Sequence, residues 1–415
     1  LNEATGKVEF ERGGLKLNDW SLVSIPLEGQ KIKSFAEDVN NNIRVNANPD
    51  PDRFAIGYYD DSNLASNKWV YYDANIDANT TFTKTKGYIM SRSSDGSVSF
   101  IGTLLTDNQS ILVSEDEWNA IGNPYTAYYP ANKNSDVSFI NDNSANLDSP
   151  AVYIWDVTQG KYIAITDLVS STQRGIPPGQ GFFVKTKTGV TNLSFNESNR
   201  ITKPATGENV FNKTENKTPF IKLFAQNRNI EISTDVIYSK SATLGYDINE
   251  DIINFESSNF DMTTQLLENN KGVNYTIQSI PNNDFENQII PINLKAKSNE
   301  EIVFRASLNN LPEDLNVFLE DRINNSFVNL NLNDTHKIKT TEDLKNVGRF
   351  YLHLSRKSLV TDLNSSLDTN VFNINKELHV RGLNNSKLSV FVYDISGKLI
   401  SRFYQKGNGK NKFNL

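Results

Sequence analysis

Histidines and acidic residues are the side chains that could carry acid–base chemistry in this 415-residue chain. There are three histidines, His336, His353 and His379, and none lies in a context typical of a hydrolase. The absence of cysteine excludes thiolate metal sites and cysteine nucleophiles. Phosphate loops, dinucleotide fingerprints and Gly-x-Ser-x-Gly elbows do not occur either. Paired carboxylates of glycoside hydrolases leave no sequence pattern, so that class stays open. We otherwise expect no catalysis.

Asp73, Asn75 and Asp77 offer oxygen ligands at alternating positions, as the opening of a calcium loop does. Ala78 stands where such a loop has its turn glycine, and Lys84 stands where it has its closing acid. The segment therefore predicts a weak calcium site at most. Turn caps made by Asp and Asn are the favoured interpretation, and no other cofactor is indicated.

Three tyrosines in the segment PYTAYYP (124–130) are the best candidates for glycan binding, namely Tyr125, Tyr128 and Tyr129. Aromatic rings stack on the apolar faces of sugars while neighbouring polar groups hold the hydroxyls. Burial of these rings in a core is nevertheless the favoured interpretation, because aromatic residues are more often packed than exposed for binding.

Composition indicates the elements that position these residues. Hydrophobic residues make up 37% of the chain and aromatic residues 10%, which is enough for packed cores. The polar remainder is rich in Asn, Ser, Thr and Asp, which favour turns over helix interiors. The net charge is −7 with scattered Lys and Arg, so we do not expect nucleic acid as a partner, and no apolar run is long enough for a membrane span. We expect an all-β chain of about two to four domains.

An internal repeat fills the first half of the chain. Four short segments recur in the same order, each a β-branched or aromatic run bounded by turn residues, as expected of strands. The pairs are 20–26 with 118–124, 69–73 with 152–156, 86–90 with 180–184, and 98–100 with 193–195. The repeat predicts a diverged first β-module at 1–113 and a second at 114–203.

The shared residues of the repeat have structural explanations. Trp20 and Trp118 are expected to fill cores, and Gly87 and Gly181 to supply turns or bulges. The segments WNAIGNPY (118–125), VYIWD (152–156) and IPPGQGFFV (176–184) resemble a module common in large secreted Bacteroidota proteins. The first copy departs from that pattern, with TKGY replacing PGQGF.

Polar connectors at 204–218 and 358–369 separate two further units. Short apolar runs between them predict a third domain at 219–357, an antiparallel β-sandwich. The segment ATLGYD (242–247) resembles the domain that precedes secretion tails in the same group of proteins. The last unit, 370–415, is predicted to form a small β-sandwich, and we expect it to be incomplete at its C-terminus.

The segment LSVFVYDISGK (388–398) resembles the core motif of type A sorting domains on type IX secretion cargo. The matching positions are Val390, Val392, Tyr393, Asp394, Gly397 and Lys398. That resemblance implies a folded address read by the outer-membrane translocon and a tail-binding shuttle protein, with attachment to surface lipopolysaccharide or release after processing.

Together these features predict a secreted or outer-membrane-attached protein that passes through the periplasm. Its β-modules would act as a non-catalytic stalk or adhesin. The alternative function is a glycan-binding accessory region of a secreted polysaccharide-degrading enzyme. A plain hairpin in an adhesive β-domain is the structural alternative for the motif near the C-terminus.

Overall fold

The structure is a computed structural model that describes residues 6–47, 51–64, 67–132, 137–156, 159–168, 174–202, 218–255, 258–286, 288–331, 335–357, 359, 370–374, 377–393 and 399–414. Strands account for 52% of it and helix for 4%. The all-β fold class is therefore confirmed. Runs of β-branched and aromatic residues form the strands, and Asn, Asp and Gly form most of the turns between them.

Module 1 packs a five-stranded sheet, in the order β2-β7-β5-β4 with β6 on β5, against a three-stranded sheet, β1-β8-β3. Helix α1 closes one end, and its Phe35 stacks on Phe100 of β8 with ring centroids 4.7 Å apart. The elements are β1 (Val8–Leu15), β2 (Trp20–Ser24), β3 (Leu27–Glu28), α1 (Ile32–Glu37), β4 (Val45–Asn46), β5 (Arg53–Tyr59), β6 (Trp69–Asp73), β7 (Gly87–Ser91) and β8 (Gly96–Leu104).

Module 2 repeats this plan with a four-stranded sheet, β10-β15-β12-β13, and the pairs β9–β16 and β11–β14. Because β9 pairs with β16, the second module includes Gln109–Leu112, ahead of the boundary expected after residue 113. The elements are β9 (Gln109–Leu112), β10 (Trp118–Gly122), β11 (Tyr129–Pro130), α2 (Phe139–Asp142), β12 (Ala151–Asp156), β13 (Lys161–Thr166), β14 (Gly175–Ile176), β15 (Gly181–Lys185) and β16 (Asn192–Phe195).

Strand registers show that the modules are copies, with one correction to the predicted alignment. β2 pairs with β7 as β10 pairs with β15, with Trp20 and Trp118 at equivalent ends. On its other side β7 pairs with β5, and in the same way β15 pairs with β12. Strand β6 therefore corresponds to β13, and matching residues 69–73 with 152–156 was wrong. The loops that follow β5 and β12 differ in length, so similarity of composition misaligned two neighbouring strands.

The two modules face each other across an approximate twofold axis. The Ser24 N–H donates to the Gly179 carbonyl over 3.0 Å, and the equivalent Gly122 N–H donates to the Thr85 carbonyl over 2.7 Å. Thr85 and Gly179 share a left-handed backbone, with φ of 65° and 71°. Exchanged contacts of this kind define a self-complementary interface, as in a symmetric dimer.

Glycines allow the two sheets to approach this closely. A Cβ on Gly87 would lie 2.8 Å from the Ile121 carbonyl oxygen, and one on Gly181 would lie 2.9 Å from the Val23 carbonyl oxygen. Neither glycine has a positive φ. The expectation that they supply turns or bulges was wrong, since their role is the close approach of backbones.

The third domain is built on one eleven-stranded sheet, in the order β25-β24-β27-β22-β20-β21-β18-β17-β23-β26 with β19 on β21. Strands near both ends of this order share one apolar core, so the sheet curls over itself. One pair, β18–β21, is parallel. A parallel pair needs a long crossover connection, and residues 240–274 provide it. The strands are β17 (Phe220–Asn227), β18 (Ile230–Ser239), β19 (Ile252–Ile253), β20 (Asp261–Thr264), β21 (Tyr275–Pro281), β22 (Ile290–Lys295), β23 (Glu301–Asn309), β24 (Asn316–Asp321), β25 (Ser326–Asn329), β26 (His336–Lys339) and β27 (Phe350–Ser355).

All three units contribute to one apolar cluster, which we call the junction. Phe255 of the third domain lies at its centre, with its ring 4.5 Å from that of Phe183, 4.7 Å from Trp118 and 5.0 Å from Tyr162. Module 1 adds Leu22, Tyr59 and Trp69 to the same cluster. Residues of module 2 and of the third domain complete it, namely Ala120, Ala151, Tyr153, Ala164, Leu168, Phe220, Ile237, Ile252 and Ile277.

Polar contacts fix the third domain on module 2. The Tyr153 hydroxyl donates to the Ile253 carbonyl over 2.6 Å. Lys161 forms a buried ion pair with Asp261, which also accepts a hydrogen bond from Asn254. A buried pair of this kind penalises other orientations, because a separated charge would lie unpaired in an apolar site.

The tail sheet consists of β28 (Asn370–Ile374), β29 (Glu377–Tyr393) and β30 (Leu399–Asn414), all antiparallel. Val380, Leu388 and Phe413 form a small cluster of their own on it. The predicted connectors at 204–218 and 358–369 fall almost wholly outside the described residues.

We expect Phe255→Ala to lower the free energy of unfolding by about 3 kcal/mol, because it leaves a cavity among aromatic rings of two modules. Urea denaturation followed by tryptophan fluorescence measures the loss. Phe327→Ala is the matched control, since Phe327 contacts one ring, that of His353, within the third domain. Equal losses in the two variants would contradict a central role for Phe255.

Candidate functional site

Each module sheet has an inner face on its own core and an outer face directed to the junction. On module 2 the third domain covers the part of the outer face that carries Trp118, which packs on Tyr153 and Phe255. On module 1 the equivalent tryptophan, Trp20, is 41% exposed. Trp118 therefore packs in an apolar cluster as predicted, whereas the same prediction for Trp20 was wrong.

The uncovered part of this face forms a cleft of about 760 Å³. A smaller cavity of about 370 Å³ continues it onto module 2 and shares Trp20, Asn67 and Trp69 with it. Trp155, which is 37% exposed, lies on the wall of that second cavity. The cleft is lined by Trp20, Arg44, Val45, Asn46, Arg53, Phe54, Ala55, Asn63, Asn67, Trp69, Val70 and Tyr71.

Aromatic rings are held at fixed positions along the cleft. Trp20 and Tyr71 have ring centroids 5.3 Å apart, and Tyr71 lies across Gly57, where an added Cβ would come within 3.0 Å of the ring. Trp69 packs edge-on against Tyr59 at 5.3 Å. Burial and the neighbouring Asp61 carboxylate raise the pKa of Tyr59 well above its ordinary value, so its hydroxyl stays protonated and donates to Asp61 over 3.1 Å.

Amides and guanidinium groups stand beside these rings. The Asn67 side chain accepts a hydrogen bond from the Trp69 N–H over 3.1 Å, which orients the loop before β6. Lys68 restrains the same loop, because its ammonium group donates a hydrogen bond to the Asp61 carbonyl over 2.8 Å. Arg44 donates a hydrogen bond to Ser91 Oγ over 3.3 Å, and Arg53 is exposed at the start of β5. Rings beside such donors and acceptors are the combination that binds carbohydrate.

Two of the three predicted glycan-binding tyrosines are buried. Tyr125 is 1% exposed and its hydroxyl bonds the carbonyls of Asp107 and Phe195. Tyr129 is fully buried and accepts a hydrogen bond from the Asn196 N–H. Both rings therefore pack in the core, in agreement with the favoured interpretation of the segment, and neither is available to stack on a sugar. Tyr128 is half-buried, so this segment offers no aromatic platform.

The weak calcium candidates act as turn caps. Asp73 accepts a hydrogen bond from the Asn75 N–H over 2.9 Å, and Asp77 accepts one from the Asn79 N–H over 2.7 Å. Within the described residues no three His, Cys, Asp or Glu side chains converge as a metal site would require.

Three of the six sorting-motif positions lie at the end of β29 in the tail sheet. Val390, Val392 and Tyr393 belong to β29, and Tyr393 pairs with Leu399 of β30. Asp394, Gly397 and Lys398 lie outside the described residues. The chain returns as an antiparallel strand after the motif.

The histidines have structural surroundings. His353 Nε2 lies 2.7 Å from a Glu320 carboxylate oxygen on the neighbouring strand, and burial lowers the pKa of His336. His379 lies on β29 of the tail sheet. In the described part of the chain no helix is long and apolar enough to cross a bilayer.

Sequence reasoning missed the cleft, although one signal was present. The run Trp-Val-Tyr-Tyr of β6 is apolar without alternation, which indicates a strand with two apolar faces. One of those faces must lie outside the module core. The sequence of β6 does not indicate whether a neighbouring unit covers that outer face.

These features define an all-β protein in which a twofold-related pair of modules and a third β-domain share one apolar junction, beside an aromatic cleft. The chain belongs to the family described as Domain of unknown function (DUF8693), whose model matches residues 2–354. The match takes in both modules and the third domain and ends before the tail sheet. Searches of curated proteins and of solved structures returned no match.

We expect Gly57→Val to push Tyr71 away from Trp20, because the first added carbon alone would lie 3.0 Å from the ring and 3.1 Å from the Val70 carbonyl. The near-ultraviolet circular dichroism of the ring pair should change, with a loss of about 1–3 kcal/mol in stability. Gly13→Val is the control, since a Cβ there meets no atom within 4 Å. An unchanged spectrum for Gly57→Val would contradict this account of the cleft.

Proposed function

We propose that this chain is a non-catalytic carbohydrate-binding protein whose binding site is the cleft on module 1. The observation that carries the proposal is the contrast between the copies. The outer face with Trp118 is covered by the third domain, whereas the equivalent face with Trp20 is open and lined by amides and guanidinium groups. Large apolar rings exposed in a concave surface are costly in water unless a ligand uses them.

In this proposal Trp20 and Tyr71 stack on the apolar face of one sugar, and Trp155 receives a second sugar on module 2. Asn63 and Asn67 would hold hydroxyl groups between them, since an amide offers both donors and an acceptor. Because the two tryptophans belong to different modules, the ligand is an oligosaccharide or polysaccharide rather than a single sugar. Binding through rigid rings needs no reacting group, which fits a stalk, an adhesin or an accessory region.

We expect Trp20→Ala to weaken glycan binding by about 10- to 100-fold, because loss of one stacking ring at a binding site costs on the order of 1–3 kcal/mol. A glycan array identifies the ligand, and isothermal titration calorimetry measures the affinity. Tyr404→Ala is the matched control, since Tyr404 is an exposed aromatic on the tail sheet. Binding that survives Trp20→Ala unchanged would rule out the cleft as the site.

We further propose that the chain is cargo of the type IX secretion system and is released or held on the outer-membrane surface. The resemblance at 388–398 supports this, and so do the hairpin pairing of Tyr393 with Leu399 and the position of the tail sheet beyond the family match. Its separate apolar cluster allows the tail to fold as an address independent of the cargo. The partners would be the translocon and its tail-binding shuttle, with lipopolysaccharide as the surface attachment.

Removal of residues 370–415 should leave the protein in the periplasm, because the address would be lost while the three-unit body keeps its junction. Immunoblotting of cell and medium fractions measures export in a host that carries the system. A reporter fused ahead of residues 370–415 is the converse test. Normal export of the shortened chain would contradict the proposal.

A further inference from the structure

The cleft carries positive charge in a chain that is acidic overall. Arg44 and Arg53 both line it, and the described lining contains no Asp or Glu. The net charge of the whole chain is −7. From this contrast we infer that the ligand of the cleft is an anionic polysaccharide, one whose sugars carry carboxylate or sulfate groups. This inference rests on the proposed function, because it names the class of glycan that the same site takes.

The two guanidinium groups are available to a ligand. Within the described residues neither Arg44 nor Arg53 forms an ion pair, although Asp73 lies opposite Arg53 in the strand ladder. Five other arginines of the chain are already paired within the fold. Arg200, Arg305, Arg322, Arg349 and Arg356 each pair with a carboxylate of this chain.

Guanidinium chemistry decides between neutral and acidic sugars. A planar guanidinium presents parallel N–H donors that match the two oxygens of a carboxylate or sulfate, whereas a neutral hydroxyl accepts only one bond. Burial of an uncompensated arginine beside a neutral glycan would cost desolvation energy without a matching charge. A site selected for neutral sugars would therefore gain little from two guanidinium groups that no carboxylate of the described residues neutralises, in the same cleft as Trp20 and Tyr71.

An acidic glycan fits this lining better than other polyanions. Single-stranded nucleic acid also combines stacking with negative charge. The lining of the cleft, however, also carries the amides of Asn63 and Asn67, which match the dense hydroxyls of a sugar. Scattered basic residues elsewhere give no track for a longer phosphate backbone.

The test uses the full chain and three immobilised probes, namely polygalacturonate, a neutral β-glucan and a single-stranded oligothymidylate. We expect binding to polygalacturonate that weakens as salt rises, because exposed charge pairs are screened. Arg44→Gln and Arg53→Gln should each lower that affinity by about tenfold, as expected for loss of one charge-assisted contact. Arg44→Lys keeps the charge but loses the two parallel N–H donors of the guanidinium. Its affinity for polygalacturonate should lie between that of Arg44→Gln and that of the unchanged protein. Arg228→Gln removes an exposed charge outside the cleft and should leave binding unchanged.

The results distinguish failure of the anionic inference from failure of the carbohydrate-binding proposal. Binding of the neutral β-glucan that both Gln variants retain would overturn the anionic inference and leave the carbohydrate-binding proposal in place. Failure to bind either polysaccharide, or preference for the oligothymidylate, would overturn both. Circular dichroism of each variant establishes that it is folded, and because neither arginine pairs with a carboxylate of the described residues we expect normal spectra.

Discussion

The close approach of two backbones at Gly87 and Gly181 is the constraint on which the rest of this structure depends. Any side chain there would meet a carbonyl of the other module at less than 3 Å. The contact is made twice, once in each direction, so both modules are held by hydrogen bonds between main chains. Main-chain contacts of this kind set the relative orientation of the sheets with little dependence on side-chain identity. They place the two outer faces side by side.

The third domain turns this symmetrical pair into an asymmetrical one. Phe255 and the buried Lys161–Asp261 pair attach it to the outer face of module 2. The apolar part of the contact stabilises the association of the two units. The ion pair fixes their relative orientation, because an unpaired charge in that position is costly. The third domain covers only the border of the equivalent face of module 1. Trp20 is left exposed for that reason, with the half-buried Tyr71 beside it.

Local patterns in the sequence predicted the strands, the repeat and the tail hairpin, because each depends on residues that are near one another along the chain. The exposure of Trp20 could not be predicted in this way. Its environment is decided by the unit that carries Phe255, more than two hundred residues away, and that unit covers one copy of the face only. Tyr125 and Tyr129 failed as binding residues for a related reason, since a cluster of aromatics has the same appearance in a core and on a platform.

The junction also bears on how the molecule opens. A unit that shares its apolar cluster with two neighbours cannot unfold alone without exposing their surfaces to water, so the free energies of local opening rise together. Amide hydrogens in β2, β10 and β21 should then exchange with solvent at similar rates, as members of one cooperative block. The three units of that block are also the part of the chain that the family model spans, residues 2–354.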